Sequence, residues 1–137
     1  MDEFPQLLHT AIDTTNVRAL AEFYRQLLHL EYREGDEPPT GDAADDADWL
    51  VLVDRDGARR LAFQQVERLE RTTWPEHDVP MQMHVDFTVS SLEQLVRHRE
   101  RAEALGAELV MDRTNDPLEP LYVLADPSGH PFCIFVA

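Results

Sequence analysis

Apolar and polar positions in the first half of the chain predict one strand, one helix and three further strands. Residues 7–13 alternate in polarity, which is typical of a half-buried strand. Thr15 or Asn16 can cap the helix that follows. The apolar positions of this helix recur at the 3.6-residue period: Val17, Leu20, Ala21, Tyr24, Leu27 and Leu28. Three strands are predicted after it: residues 30–33, 49–54 and 60–66.

The second half of the chain repeats this order. A strand is predicted over residues 83–89, and Ser91 begins a helix with Ser91–Gln94 as its capping box. The apolar stripe of that helix comprises Leu92, Leu95, Val96, Ala102 and Leu105. Three more strands are predicted after this helix: residues 108–111, 121–125 and 131–136. The second half therefore has the same β-α-β-β-β order as the first.

Two landmarks support an internal repeat. His9 and His84 stand at the first strand of each half, and an Asp-x-x-Gly turn precedes the last strand of each, at residues 54–57 and 126–129. We predict an α+β fold of two tandem βαβββ modules within one domain of 137 residues. The predicted boundaries are module one 5–66, linker 67–82 and module two 83–137.

The formal net charge of −15 bears on partners more than on the fold. Duplex nucleic acid needs a basic face and an anionic membrane surface repels an acidic protein, so neither is expected as a partner. No apolar run approaches the roughly 20 residues that span a bilayer, and the N-terminus lacks the pattern of a signal peptide. The single cysteine, Cys133, cannot form an intrachain disulfide, which favours a cytoplasmic protein.

Several motifs resemble the vicinal oxygen chelate superfamily, also called the glyoxalase/bleomycin resistance/dioxygenase superfamily. Residues 9–13 (HTAID) and 21–30 (AEFYRQLLHL) resemble its opening strand and "FYxxxLGL" helix. Residues 124–133 (LADPSGHPFC) resemble its "DPxGNPxE" ending. Residues 61–64 (LAFQ) and Trp74-Pro75 are similar to the glyoxalase-like subgroup. The resemblance covers almost the whole chain and implies that the two modules curl their mixed sheet around an open cleft.

The resemblance also implies a ligand set for a divalent metal such as Zn, Fe, Mn or Ni, although some members of the superfamily bind none. His9 and His84 match its first-strand ligand positions. Gln64 is the preferred third ligand, but whether Gln64 or Gln65 faces the cleft is open. Alignment on the two Asp-x-x-Gly turns puts Leu61 opposite Cys133, whereas burial of Leu61 and Phe63 against the helix puts Ala62 and Gln64 in the cleft. A one-residue register error reverses every side chain of a strand, so the sequence leaves both alignments open. Cys133 occupies the position of the superfamily's last-strand Glu, so glyoxalase I activity is not expected.

Other residues are candidates for lining the cleft. Trp74 offers a flat aromatic surface, and Asp86 is predicted to lie on the same side of its strand as His84. The resemblance implies that Cys133 lines the cleft, because its position is that of the superfamily's last-strand Glu. Tyr122 and His130 complete the set of ligand-binding candidates. Outside this set, seven of the 27 acidic residues lie between residues 34 and 48, which predicts a solvated loop.

These residues leave two functions open. In the first, the protein binds an aromatic or cationic small molecule without a metal, as resistance proteins of the superfamily sequester drugs. In the second, it is a metal-dependent lyase, isomerase or dioxygenase that uses His9, Gln64 and His84. The resemblance further implies a homodimer in either case.

Overall fold

The computed structural model describes residues 3–137, which form two compact units divided between Leu69 and Glu70. The first module, as we call the unit up to Leu69, has one helix and a four-stranded mixed sheet of order β1-β4-β3-β2. Its strand β1 is parallel to β4, and the other neighbours are antiparallel. Its elements are β1 (Thr10–Thr14), α1 (Val17–Leu28), β2 (Glu31–Tyr32), β3 (Trp49–Val53) and β4 (Arg59–Gln65).

The second module, from Glu70 onward, repeats this topology with the sheet order β5-β8-β7-β6. Strand β5 is parallel to β8, and β8, β7 and β6 are successively antiparallel. Its elements are β5 (Val85–Val89), α2 (Leu92–Ala104), β6 (Glu108–Arg113), β7 (Leu121–Ala125) and β8 (Pro131–Val136). The predicted α+β fold of two tandem βαβββ modules is therefore confirmed.

The first strand of each module begins later in the chain than the polarity pattern predicts. Strand β1 begins at Thr10 and β5 at Val85, so His9 and His84 each immediately precede their strand. Val85 pairs with Phe132, and the residue before Phe132 is Pro131, which has no N–H to extend the ladder. The two histidines nevertheless remain at equivalent positions.

The two helices bury different amounts of apolar surface. Asn16 caps α1 by accepting from the Ala19 N–H, and the apolar stripe of α1 is buried except at Leu28. Ser91 caps α2 by accepting from the Gln94 N–H, but only Leu95 and Ala102 of α2 are buried. Leu92 and Val96 are exposed, contrary to the stripe predicted for them. Among residues 3–137, neither helix is long and apolar enough to cross a membrane.

The β3–β4 hairpin of the first module contains one extra residue that the β7–β8 hairpin of the second module lacks. In the β3–β4 hairpin, Val53 pairs with Arg59 and Leu52 with Leu61, which leaves Arg60 as an extra residue. The β7–β8 hairpin pairs Ala125 with Pro131 and Leu124 with Phe132 without such an extra residue. A bulge of this kind shifts the register by one. Alignment on the turns, which puts Leu61 opposite Cys133, is therefore displaced by one residue.

The structure decides which glutamine of β4 faces away from α1. Phe63 stacks on Tyr24 of α1, so its neighbour Gln64 points to the opposite face of the sheet. Gln65 lies on the side of α1, where its Oε1 accepts from the Val17 N–H at 2.9 Å and its Nε2 donates to the Thr15 carbonyl at 2.6 Å. Gln65 therefore ties the start of α1 to the end of β4.

Replacement of Gln65 by Ala should destabilise the protein by about 1 kcal/mol, because it leaves the Val17 N–H at the start of α1 without its acceptor. The matched control is Gln64→Ala, which removes an exposed side chain and should change the free energy of unfolding by less than about 0.5 kcal/mol. Urea unfolding of both variants measures the difference. Equal destabilisation by the two substitutions would contradict the assigned role of Gln65.

Candidate functional site

Three side chains that can bind a metal ion or exchange a proton lie close together on one face of the second module's sheet. They are His84 before β5, Asp86 on β5 and Cys133 on β8, and one donor atom of each lies within 4.8 Å of the others. Asp86 and Cys133 are direct partners in the parallel β5–β8 ladder. His84 Nε2 lies 3.1 Å from Asp86 Oδ1. We call these three residues the donor cluster.

The members of the donor cluster differ in exposure. The side chains of His84 and Asp86 are 38% and 53% exposed, whereas Cys133 is only 7% exposed. Burial, together with the charge of Asp86 and a hydrogen bond to it, raises the pKa of the Cys133 thiol from 9.0 to about 12. The thiol is therefore protonated at neutral pH.

This environment is the opposite of the one that activates a nucleophilic cysteine. Reactive thiolates lie beside cationic groups that lower their pKa. Here the hydrogen-bonding neighbour of Cys133 is the Asp86 carboxylate, and His84 contacts that carboxylate in turn. The arrangement favours ligand or cation binding over covalent catalysis by the thiol.

An apolar patch surrounds the Cys133 sulfur on the same face. Its centre is Cys133 with Leu121 and Val123 of β7, and four half-buried side chains pack against them: Trp74, Val110, Met111 and Phe135. Of these, only Trp74 and Cys133 are predicted as site residues from the sequence. Strand alternation does place Leu121, Val123 and Phe135 on one face, but it does not say which face receives the helix.

Trp74 is held against the apolar patch by a closed loop. The Trp74 N–H donates to Thr72 Oγ1 at 3.2 Å, and the same hydroxyl donates to the Val79 carbonyl at 2.6 Å. The N–H of Thr73 also donates to the Val79 carbonyl, and the Trp74–Pro75 peptide bond is cis. This segment, predicted as a linker between modules, belongs by its contacts to the second module.

Two predicted ligand-binding residues are not brought to the donor cluster. Tyr122 faces α2, where the Arg99 guanidinium lies 5.0 Å from the centre of its ring. Because Val123 and Cys133 pair on the opposite face, Tyr122 cannot share that face. His130 belongs to the β7–β8 turn, in which its backbone N–H donates to Asp126 Oδ1 at 3.1 Å.

The first module carries fewer donors at the equivalent positions. Ala11 pairs with Ala62 as Asp86 pairs with Cys133, so two alanines replace the carboxylate and the thiol. His9 remains; its ring centre lies 5.8 Å from that of Trp49, and its buried Nδ1 has no hydrogen-bond partner among the described residues. Burial and the charges of Arg59 and Arg33 lower the pKa of His9. Its imidazole is therefore available as a neutral ligand.

The donor cluster fits a divalent cation of intermediate softness. Imidazole nitrogen, carboxylate oxygen and thiolate sulfur are all ligands of Zn²⁺, whereas a thiol suits Mg²⁺ or Mn²⁺ poorly. Ligand atoms of a tetrahedral Zn²⁺ lie about 3.5 Å apart, given bond lengths of about 2.0–2.3 Å. The donor atoms of the cluster lie within 4.8 Å of one another, near enough for side-chain rotations to bring them to that spacing.

Comparison with known families identifies the class to which this repeat belongs. A family model described as "Glyoxalase-like domain" matches residues 9–135. This match spans nearly the whole chain, including both modules and the donor cluster. The chain therefore belongs to the glyoxalase-like domain family, which confirms the resemblance found in its sequence.

Solved structures of the same superfamily share the fold. One is a glyoxalase/bleomycin resistance protein/dioxygenase family enzyme from Burkholderia phytofirmans PsJN, with a TM-score of 0.68, 19% identity and coverage of 94% of this chain and 96% of that one. Fosfomycin resistance protein FosX from Listeria monocytogenes has a TM-score of 0.68, 15% identity and coverage of 98% and 95%. FosX from Mesorhizobium loti has a TM-score of 0.66, 15% identity and coverage of 98% and 94%. No curated protein sequence matches the chain significantly.

The Cys133 thiol should make the stability of the protein sensitive to alkaline pH. The unfolded chain ionises this thiol near pH 9.0 and the folded chain only near pH 12, so stability is lost as the pH rises above 9.0. In urea unfolding on both sides of that pH, wild type should lose more stability than Cys133→Ala. Asp86→Asn should reduce the loss, since it removes one of the groups that raise the pKa. Parallel curves for wild type and Cys133→Ala would show that the thiol titrates alike in both states.

Proposed function

We propose that the protein binds a small aromatic or cationic molecule on the face of the second module's sheet opposite α2 and holds it without converting it, as a sequestering resistance protein does. The observation that carries this proposal is that the Trp74 ring and the Asp86 carboxylate both contact the core of one apolar patch. Trp74 and Asp86 thus supply two different kinds of contact to one ligand. Cys133 is the member of the patch that contacts Asp86, and its thiol is protonated at neutral pH.

The chemistry of the patch favours an aromatic group with a positive charge. Half-buried apolar side chains around Cys133 supply area for a flat ring, and a tryptophan face attracts cations. Asp86, about half exposed, can meet a charge without being buried itself. The net charge of −15 attracts cations and repels anions over a longer range.

We also propose that the protein is a homodimer in the cytoplasm. Exposed apolar side chains on α2, Leu92 at 52% and Val96 at 42%, support self-association, because they are not covered within the second module. A free and buried Cys133 is compatible with a reducing compartment.

Intrinsic fluorescence can test this proposal, since the chain has only two tryptophans. Trp49→Phe leaves Trp74 as the reporter, and benzyltrimethylammonium serves as an aromatic cation in the presence of a chelator. We expect saturable quenching, with binding weakened about two- to fivefold in Asp86→Asn through loss of a partly exposed ion pair. Benzoate, with the same ring but a negative charge, should bind more weakly.

The controls distinguish the patch from other surfaces. Trp74→Phe, with Trp49 retained, should lose the quenching, because Trp49 contacts His9 in the first module rather than the patch. The proposal fails if Trp74 fluorescence is unaffected by the cation. It also fails if benzoate and the cation bind equally and Asp86→Asn changes neither.

A metal-dependent lyase, isomerase or dioxygenase is the second candidate. Its support is the convergence of His84 with two further donors, together with the buried Nδ1 of His9, which has no hydrogen-bond partner within residues 3–137. When bound, a divalent cation would act as a Lewis acid toward vicinal oxygens of a substrate. In the form that the family resemblance implies, His9, Gln64 and His84 hold the metal.

Elemental analysis tests this second candidate. The purified protein should contain close to one equivalent of Zn, Fe, Mn or Ni, and His9→Ala should lose it if His9 is a ligand. The matched control is His98→Ala, which removes an imidazole of α2 that contacts Arg101. A wild-type protein that stays metal-free after soaking in Mn²⁺, Zn²⁺ and Fe²⁺ would exclude metal-dependent catalysis.

A further inference from the structure

We propose that the second module alone holds a thiophilic divalent cation, with Zn²⁺ as the natural candidate, through His84 Nε2, the Asp86 carboxylate and Cys133 Sγ. All three donors lie within 4.8 Å of one another in a single module. This inference goes beyond ligand binding on the apolar patch and does not depend on it. It also differs from the ligand set His9, Gln64 and His84.

The geometry combines one fixed ligand with two adjustable ligands. Cys133 is buried in the middle of β8, where its backbone is paired with β5 on one side and β7 on the other. The side chains of His84 and Asp86 are partly exposed, and His84 precedes β5 rather than lying within its ladder. Side-chain rotations of these two residues can therefore bring their donor atoms, already 3.1 Å apart, toward the Cys133 sulfur while the backbone of β8 stays in place.

The identity of the donors selects the class of cation. A thiolate, an imidazole and a carboxylate together favour Zn²⁺ and Co²⁺ over Mg²⁺ and Mn²⁺, which prefer oxygen ligands. Three protein ligands also leave one position of a tetrahedral ion for water or another molecule. Cys133 is shared by this donor set and the apolar patch, which also contains Trp74 and Val123.

The first module cannot form the same set. Its positions equivalent to Asp86 and Cys133 are Ala11 and Ala62, which have no donor atoms in their side chains. Only His9 corresponds, by its position before β1, to a member of the donor cluster. The single-module site is therefore an asymmetric feature of this repeat, and His9 is not required for it.

Cobalt spectroscopy on the full chain tests the inference. After treatment with a chelator and its removal, the protein is titrated with Co²⁺, whose bond to a thiolate gives a charge-transfer band in the near ultraviolet. We expect this band to saturate at one Co²⁺ per chain and to disappear when Zn²⁺ is added. His9→Ala should keep the band with unchanged affinity.

Variants of the donor cluster assign the ligands. Cys133→Ala should abolish the charge-transfer band, and His84→Ala and Asp86→Asn should each weaken Co²⁺ binding by at least about tenfold. His98→Ala serves as the matched control and should bind as wild type does. Circular dichroism checks folding, and Cys133→Ser, which is similar in size to cysteine, replaces Cys133→Ala if the latter does not fold.

Three results would overturn the inference: no charge-transfer band in wild type, a band that persists in Cys133→Ala or Cys133→Ser, or loss of Co²⁺ binding in His9→Ala. Loss of Co²⁺ binding in His9→Ala would instead indicate the ligand set of the second candidate function, which is His9, Gln64 and His84. Failure of Co²⁺ binding would leave the fluorescence experiment with the aromatic cation unaffected, since that experiment is made in the presence of chelator. The two proposals can thus fail separately.

Discussion

The parallel pairing of β5 with β8 is the constraint on which the candidate site depends. Its register places Asp86 directly beside Cys133, although 46 residues separate them in the chain. Because successive side chains of a strand alternate, the same register turns Phe87 and Phe132 toward each other on the other face, with ring centres 5.8 Å apart. A shift of one residue would bury the carboxylate and expose the aromatic rings. Packing of the face that carries these rings therefore holds Asp86 and Cys133 in place on the other face.

Much of the fold could be predicted from local patterns, because each module repeats the same signals. Capping by Asn16 and Ser91, the buried stripe of α1 and the Asp-x-x-Gly turns all act over a few residues, and all are present in the structure. The exposed Leu92 and Val96 were not predictable in this way. Helical periodicity identifies an apolar stripe, but it does not say how wide a surface the sheet offers to cover it.

The candidate site was only partly predictable from the sequence. His84, Asp86 and Cys133 could each be proposed, yet their convergence depends on strand register, which sequence alone does not supply. Tyr122 illustrates the same limit, since a single step along β7 turns its ring toward Arg99 of α2 instead of toward Cys133. In the first module, the extra residue Arg60 displaces an alignment made on the turns. Long-range pairing and bulges, rather than propensity, decide these positions.

The carboxylate of Asp86 connects the two proposed activities of the second module. Without a metal, it accepts a hydrogen bond from the protonated Cys133 thiol and lies 3.1 Å from His84 Nε2. A divalent cation would replace the thiol proton, because metals bind the thiolate. An organic cation would instead use the negative charge of Asp86 and leave that proton in place. Both ligands need the same carboxylate beside the same apolar patch, so we expect each of them to weaken binding of the other.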